Sequence, residues 1–414
     1  MSTGCRIAAL VTTYFPISHA DVIVTRWIEP RATDPDWGWS DPQSRIVSLY
    51  VVETADASRR TTEFYGRDLS QEISRQYGIP IFTSIRDALT LGGDALAVDG
   101  VLLIAEHGHF PYNEFGQKLY PRKEYFDEIV SVFRQSGRSV PVFCDKHLSW
   151  KGEWAHAMVQ ASRDMEFPLM AGSSLPCVGV EPAPDLIARG IMEEYVGIFY
   201  CGAEVYGFHS LELMQSLIET RRGGEAGIVA ITAYQGDEVW QAMDRGVWSR
   251  SLFDAALASS RTAKKEGDVR QNIKPNPEFP GFPGLCAFHL EHADGLKSTH
   301  VMLHGHLEDF TYALRYQGDP RLRAGCSLIT AGGPANHYGH FGTLNRVVQE
   351  MFLTGRAPIP IERTLLTTCT IERCTHALKE TGVRFETPEL RLPYQGLATY
   401  AACQLPKIRL APVA

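Results

Sequence analysis

This chain lacks the roughly 20 uninterrupted apolar residues that span a bilayer, so no membrane-spanning helix is expected. Its N-terminal fifteen residues carry no apolar run of signal-peptide length and no small-residue cleavage site. Nine cysteines, at 5, 144, 177, 201, 286, 326, 369, 374 and 403, include no Cys-x-x-Cys pair. With no export signal, free thiols in a reducing cytoplasm are the expectation. Basic clusters long enough to track a phosphate backbone are missing, and the net charge is −8, from 40 basic and 48 acidic residues. Both features argue against a nucleic-acid partner. There is no internal repeat and no low-complexity tract. What is present is ordinary for a soluble globular protein: 44% hydrophobic and 21% charged residues. That excludes a disordered chain, a coiled coil and a disulfide scaffold. The length, 414 residues, is too great for one ordinary core and suggests two domains.

The first 175 residues alternate short apolar runs with amphipathic stretches. Strands are expected at 6–12, 46–52, 80–82, 100–105, 140–144 and 167–171. Helices are expected at 18–29 (capped by Ser18), about 59–77, 84–90, 125–135 and 153–163. Strand–helix alternation with nearly all-apolar strands is the pattern of a parallel, doubly wound sheet. The pattern then changes. From about 285 to 331, apolar runs are separated by hairpin turn signals such as Asp294-Gly295 and Gly318-Asp319, which argues for an antiparallel sheet. The expected fold class is α/β: a Rossmann-like doubly wound sheet over 1–175, then an α+β domain over 176–414 with an open, mainly antiparallel sheet.

In order and spacing the chain resembles the glucose–fructose oxidoreductase / inositol dehydrogenase (Gfo/Idh/MocA) family over nearly its whole length. Residues 78–89 and 98–104 look like that family's third and fourth strands with the helix between them. The strand ending Cys144-Asp145-Lys146-His147 is similar to the one that carries the family's Glu-Lys-Pro motif. Gly207-Phe208-His209-Ser210-Leu211-Glu212 resembles its Gly-x-His-x-x-Asp helix start. The later strands and a helix near 343–355 follow its second domain. The resemblance implies NAD or NADP as cofactor. It also implies Lys146 and His209 as the proton-handling pair, Glu212 as the group orienting His209, and a homo-oligomer, dimer or tetramer, formed through the sheet face left open.

Two departures from that pattern stand out. Where a glycine-rich phosphate turn would follow the first strand, the sequence reads Thr12-Thr13-Tyr14-Phe15-Pro16-Ile17-Ser18-His19, with no glycine. Glycines let the backbone approach a pyrophosphate closely. Thr12, Thr13 and Ser18 remain as hydroxyl and amide donors at a helix N-terminus. Glu53 stands where the ribose-binding acid would lie; the alternative is an exposed carboxylate at a strand end. His147 replaces the motif's proline. Lys146, at the carboxyl end of a parallel strand, points into the ligand cleft or else forms a surface pair with Asp145.

Histidines are frequent, 14 in all, and three close pairs occur. Glu106-His107-Gly108-His109 follows a buried strand, placing Glu106 with the cofactor residues. His107, His109, His147 and Tyr206 are the expected substrate contacts. A loop over 110–121 reads as a substrate-covering lid. His304 and His306, alternating on an expected strand, are the candidates for a divalent metal; His337 and His340 form the third pair. The leading expectation is an NAD(P)-linked oxidoreductase, or a redox-assisted lyase or hydrolase, acting on a sugar or polyol. The alternatives are a metal-dependent or cofactor-free lyase or isomerase that has lost the dinucleotide, and a non-catalytic carbohydrate-binding protein.

Overall fold

The first strand, β1 (Cys5–Thr13), is buried on both faces from Ile7 onward, so it must be covered on both sides. The computed structural model describes residues 4–29, 37–53, 67–187, 189–277, 284–330 and 338–396. After β1 a π-helical turn, Asp21–Thr25, runs into a single α-turn, α1 (Arg26–Ile28). There follow β2 (Ser44–Glu53), α2 (Ser70–Tyr77), β3 (Ile81–Phe82), α3 (Ile85–Thr90) and β4 (Gly100–Ile104), then α4 (Arg122–Ser136), β5 (Val142–Asp145), α5 (Gly152–Asp164) and β6 (Leu169–Gly172). Local chemistry sets the ends: the Ser84 hydroxyl accepts from the Asp87 amide to start α3, and Gly78 and Gly137 close α2 and α4 in the left-handed conformation. The strands pair in parallel in the order β3-β2-β1-β4-β5-β6, the doubly wound sheet the sequence predicts. Ala8, Leu10, Val101, Leu103 and Val142 face α3, α4 and α5, while Ile7, Ala9, Val11, Leu102 and Ile104 face the other side.

The second half runs α6 (Leu175–Val178), β7 (Val180–Glu181), β8 (Met192–Phe199), α7 (Val205–Ile218) and β9 (Ile228–Gln235). Next come α8 (Asp237–Asp244), α9 (Arg250–Ala258), α10 (Val269–Asn272), β10 (Leu285–His292), β11 (Lys297–Leu303), β12 (Thr311–Tyr316) and β13 (Arg323–Ser327). The described chain ends with α11 (His340–Thr354), α12 (Ile361–Ala377) and β14 (Arg384–Glu386). Eight strands form the second sheet, in the order β14-β9-β10-β11-β8-β12-β13-β7, antiparallel apart from the β8–β11 pair. No described helix is long and apolar enough to cross a membrane.

Four sequence expectations are revised. The sheet face expected to lie open for a partner is covered by the chain itself. Trp240, Met243, Leu252, Phe253 and Ala256 of α8 and α9 pack on Val196, Ile198, Ala287, Val301 and Leu303, covering that face among the described residues. The helix expected in the second domain, α11, packs instead on the first sheet, where Leu344, Val348 and Met351 join the cluster of Ile7, Ala9 and Ile104. The short α1 leaves that face uncovered, and α11 fills the space; Asn345 and Thr343 donate to the Ile23 and Trp37 carbonyls at 2.9 Å each. The helix expected over 18–29 is a π turn plus one α-turn, and that over 59–77 is helical at Ser70–Tyr77, with 59–66 outside the described residues. Finally, β11 ends at Leu303, so His304 and His306 lie in a turn at Gly305 (φ 93°) rather than sharing a strand face.

Candidate active site

Strand register brings the carboxyl ends of the central strands level: Val11 pairs with Ile104, Leu103 with Cys144, and Asp145 with Gly172. In doubly wound folds that edge is where ligands bind. Just past β4 and β5, and at the end of β6, the backbone turns through positive φ, at His107 (66°), Lys146 (62°) and Gly172 (124°). For the two non-glycine residues this costs on the order of 1 kcal/mol or more, sustained by the surrounding contacts.

Glu106 is the electrostatic centre. It is 4% exposed, its Oε1 accepts from Lys146 Nζ at 2.8 Å, and its Oε2 accepts from Arg122. Burial alone would raise its pKa, but Lys146, then Arg122, override that and hold the carboxyl well below the usual range. The sequence offered Asp145 as a partner for Lys146; instead Lys146, just past β5 at φ 62°, meets Glu106, and Asp145 meets the turn after β1. There Asp145 Oδ2 accepts from His19 Nδ1 at 2.6 Å.

His209, near the start of α7, meets Ser173 through its Nδ1, 2.6 Å from the hydroxyl. Glu212 does not touch His209. Its carboxylate accepts from the Ser173 amide at 3.2 Å and the Thr367 hydroxyl at 2.6 Å, so it positions the ring through Ser173. One turn of α7 puts Glu212 beside Gly172, where a Cβ would come within 2.5 Å of Glu212 Oε2; only glycine is accommodated. Burial, then the charges of Lys146, His19 and His340, push the His209 pKa well below its ordinary value, with Glu106 opposing. The imidazole is neutral at neutral pH. Burial likewise lowers His107 to about 3. Contacts bring these groups into one neighbourhood: Lys146 bonds Glu106, its backbone pairs with Gly172 next to Ser173, the partner of His209, and the His19 ring lies 5.4 Å from that of His107. Aromatic rings form its walls: Tyr206 (5.9 Å between centroids) and Phe310 (6.2 Å) beside His209, and Phe341 (5.1 Å) beside His19.

Other expected residues fall elsewhere. His147 is 1% exposed, with Nε2 3.0 Å from Glu204 Oε1 and 3.4 Å from Arg122, so it is part of the buried support rather than a substrate contact. His109 is exposed. The segment 110–121 is pinned rather than hinged: Gln117 donates to the Trp150 carbonyl at 2.9 Å and Phe115 packs on His376 at 3.8 Å. His340 is buried at the start of α11 beside Phe341. His337 and the Glu53 side chain lie outside the described residues. His306 Nδ1 lies 3.2 Å from the Asn272 amide, and among the described residues no three His, Cys, Asp or Glu side chains are grouped to hold a metal ion. Sequence reasoning missed His19, Arg122 and Ser173; the first occupies the phosphate turn itself, the one signal that pointed to it. A groove of about 840 Å³, lined by Glu193, Arg315, Trp248 and Lys297, lies at the opposite end of β8 from these residues.

The turn after β1 does not fit a dinucleotide's pyrophosphate. Thr12, Thr13 and Ser18 are each at most 1% exposed. Thr12 donates to the Glu106 carbonyl at 2.7 Å, and the Ser18 hydroxyl accepts from the Phe15 and Asp21 amides, both at 3.2 Å. The Ile17 amide donates to the Asp21 carboxylate at 2.9 Å. The amides an anion would use are occupied, and the helix start carries its own negative charge. Phe15 and Tyr14, each 1% exposed, fill the space that glycines would leave.

A six-stranded parallel sheet is followed along the chain by a mainly antiparallel eight-stranded one. Solved structures agree. Apo scyllo-inositol dehydrogenase from Lactobacillus casei matches with a TM-score of 0.55 at 9% identity, covering 92% of this chain and 98% of that one. A myo-inositol dehydrogenase from Corynebacterium glutamicum matches at 0.52 and 12%, with the same coverage. An oxidoreductase from Agrobacterium radiobacter, solved with NAD+, L-tartaric acid and magnesium, matches at 0.52 and 13%, covering 93% and 98%. At these identities the likeness is one of fold. No family model and no curated protein matches the sequence.

Proposed function

We propose that this chain is an enzyme acting on a sugar, polyol or related hydroxylated small molecule, with Lys146 and His209 handling protons on it. The observation that carries the reading is the convergence of a buried lysine, paired at 2.8 Å with Glu106, and a neutral histidine at the carboxyl edge of a parallel sheet. A lysine cation stabilises charge developing on an oxygen, and a neutral imidazole accepts or donates a proton. Oxidoreductase chemistry is what the shared fold supports, and NAD or NADP is the cofactor it implies. Because the turn after β1 does not fit the pyrophosphate, no hydride step is assigned. A second reading, a lyase or isomerase working without a dinucleotide, is favoured by that same turn. The working division is a first domain over 1–175 and a second over 176–414. Assembly as a dimer or tetramer would need a surface other than the covered sheet face.

Mass spectrometry and absorbance of the purified protein, with calorimetric titration of NAD+ and NADP+, separate the two readings. Copurified nucleotide, or micromolar binding, supports the oxidoreductase. No nucleotide and no binding at millimolar concentration supports the lyase or isomerase.

A further inference from the structure

We infer that His19, held by Asp145, is a second proton-transfer group of this site, placed to take a proton from the carbon next to a substrate carbonyl. The inference rests on the proton-handling reading above and deepens it. Asp145 is 1% exposed and accepts from His19 Nδ1 at 2.6 Å, a contact between the turn after β1 and the end of β5. A carboxylate on Nδ1 fixes the tautomer and leaves Nε2 as the proton acceptor, stabilising the imidazolium once formed. Among the described residues no hydrogen bond reaches His19 Nε2, and the side chain keeps 14% exposure. The ring is fixed by His107 at 5.4 Å and Phe341 at 5.1 Å.

Asp145 is bonded to it, the His107 and Phe341 rings pack against it, Glu106 and His209 interact with its charge, and Lys146 follows Asp145 in the chain. Together these groups supply the three parts of an enolisation: a base (His19), a cation for the developing oxyanion (Lys146) and a neutral imidazole to hydrogen-bond that oxygen (His209). The C–H proton passes to His19 Nε2. The C–H electron pair forms the carbon–carbon double bond, and the carbonyl pair moves to the oxygen beside Lys146. Return of the proton to the same carbon, or to its neighbour after the hydroxyl proton has moved, gives an epimer or an aldose–ketose isomer. Electrons balance without an external acceptor. The substrate class is therefore an α-hydroxy carbonyl sugar.

The test incubates the full-length protein, without added nucleotide, in D2O with a panel of aldoses, ketoses and inososes, reading carbon-bound deuterium by NMR. Wild type is expected to incorporate deuterium at the carbon next to the carbonyl, and H19N to lose about 10²–10⁴-fold in rate. Asp145 is a positioning residue. In 15N-histidine spectra D145N is expected to shift the His19 signal, identified by its loss in H19N, from one protonated at Nδ1 towards one protonated at Nε2. Exchange that persists at the wild-type rate in H19N, or a His19 tautomer unchanged in D145N, overturns the role of His19 alone. No exchange by wild type with any sugar of the panel overturns the enolisation. Exchange lost in H209N but kept in H19N upholds the general reading while refuting this one.

Discussion

Replacing Glu106 by Gln keeps the shape of the side chain and removes its charge. The native carboxylate is 4% exposed and pairs with both Lys146 and Arg122, themselves 5% and 0% exposed. Without it two cations stay buried with no counter-charge in the pair. Breaking a buried pair on one side costs about 3–5 kcal/mol. With an unfolding entropy of about 2 cal/mol/K per residue, that lowers the melting temperature of a chain this size by only about 4–6 °C, so urea denaturation at several pH values is the better assay. The folded pKa of Glu106 is depressed below its reference of 4.5. Its contribution is therefore complete above that pH and lost as pH falls towards the folded value. The difference between wild type and E106Q should be full at pH 7 and shrink by about 1.4 kcal/mol per unit below pH 4.5. A loss under about 1 kcal/mol at pH 7, or a difference that does not narrow in acid, would refute the view that Glu106 is the charge balance of the site.

Three further outcomes are expected. K146M, which leaves Glu106 its Arg122 partner, and H209N should each lower turnover by about 10²–10⁴-fold on whichever sugar wild type converts; near-wild-type activity in both would remove them from the chemistry. Burial holds His300, fully enclosed with Nδ1 2.7 Å from the Ser210 hydroxyl, down to about 3. A depressed histidine makes the unfolded state the better proton binder, so its stabilisation is whole above pH 6.5 and falls by about 1.4 kcal/mol per unit below it; H300Q should flatten the acid limb by that slope, and an unchanged limb would count against it. F253A, at a 3% exposed position on the inner side of α9, should cost about 3–5 kcal/mol and expose the second sheet; light scattering would then show more association than in wild type, and an unchanged signal would count against it.

The parallel sheet was legible in the sequence because its strands need cover on both faces, so residues 6–12, 100–105 and 140–144 read as continuous apolar runs whatever surrounds them. Lys146 and His209 were singled out in the sequence too, through the family motifs their segments resemble. Their partners were not. Glu106 and Asp145 are separated from Lys146 and His19 by 40 and 126 positions, and which carboxylate meets which cation depends on how the ends of β1, β4 and β5 align in three dimensions. Glu212 lies one turn from His209, where helical spacing alone predicts contact; the close approach of Gly172 inserted Ser173 between them. The missing glycines announced a changed first turn, but only the packed chain showed that Phe15, Ser18 and Asp21 close it and leave His19 facing the site. Likewise, which face α8 and α9 cover was decided by the sheet they fold against. Local pattern fixes which backbone forms; burial of charge and the meeting of distant strand ends fix what those residues can do.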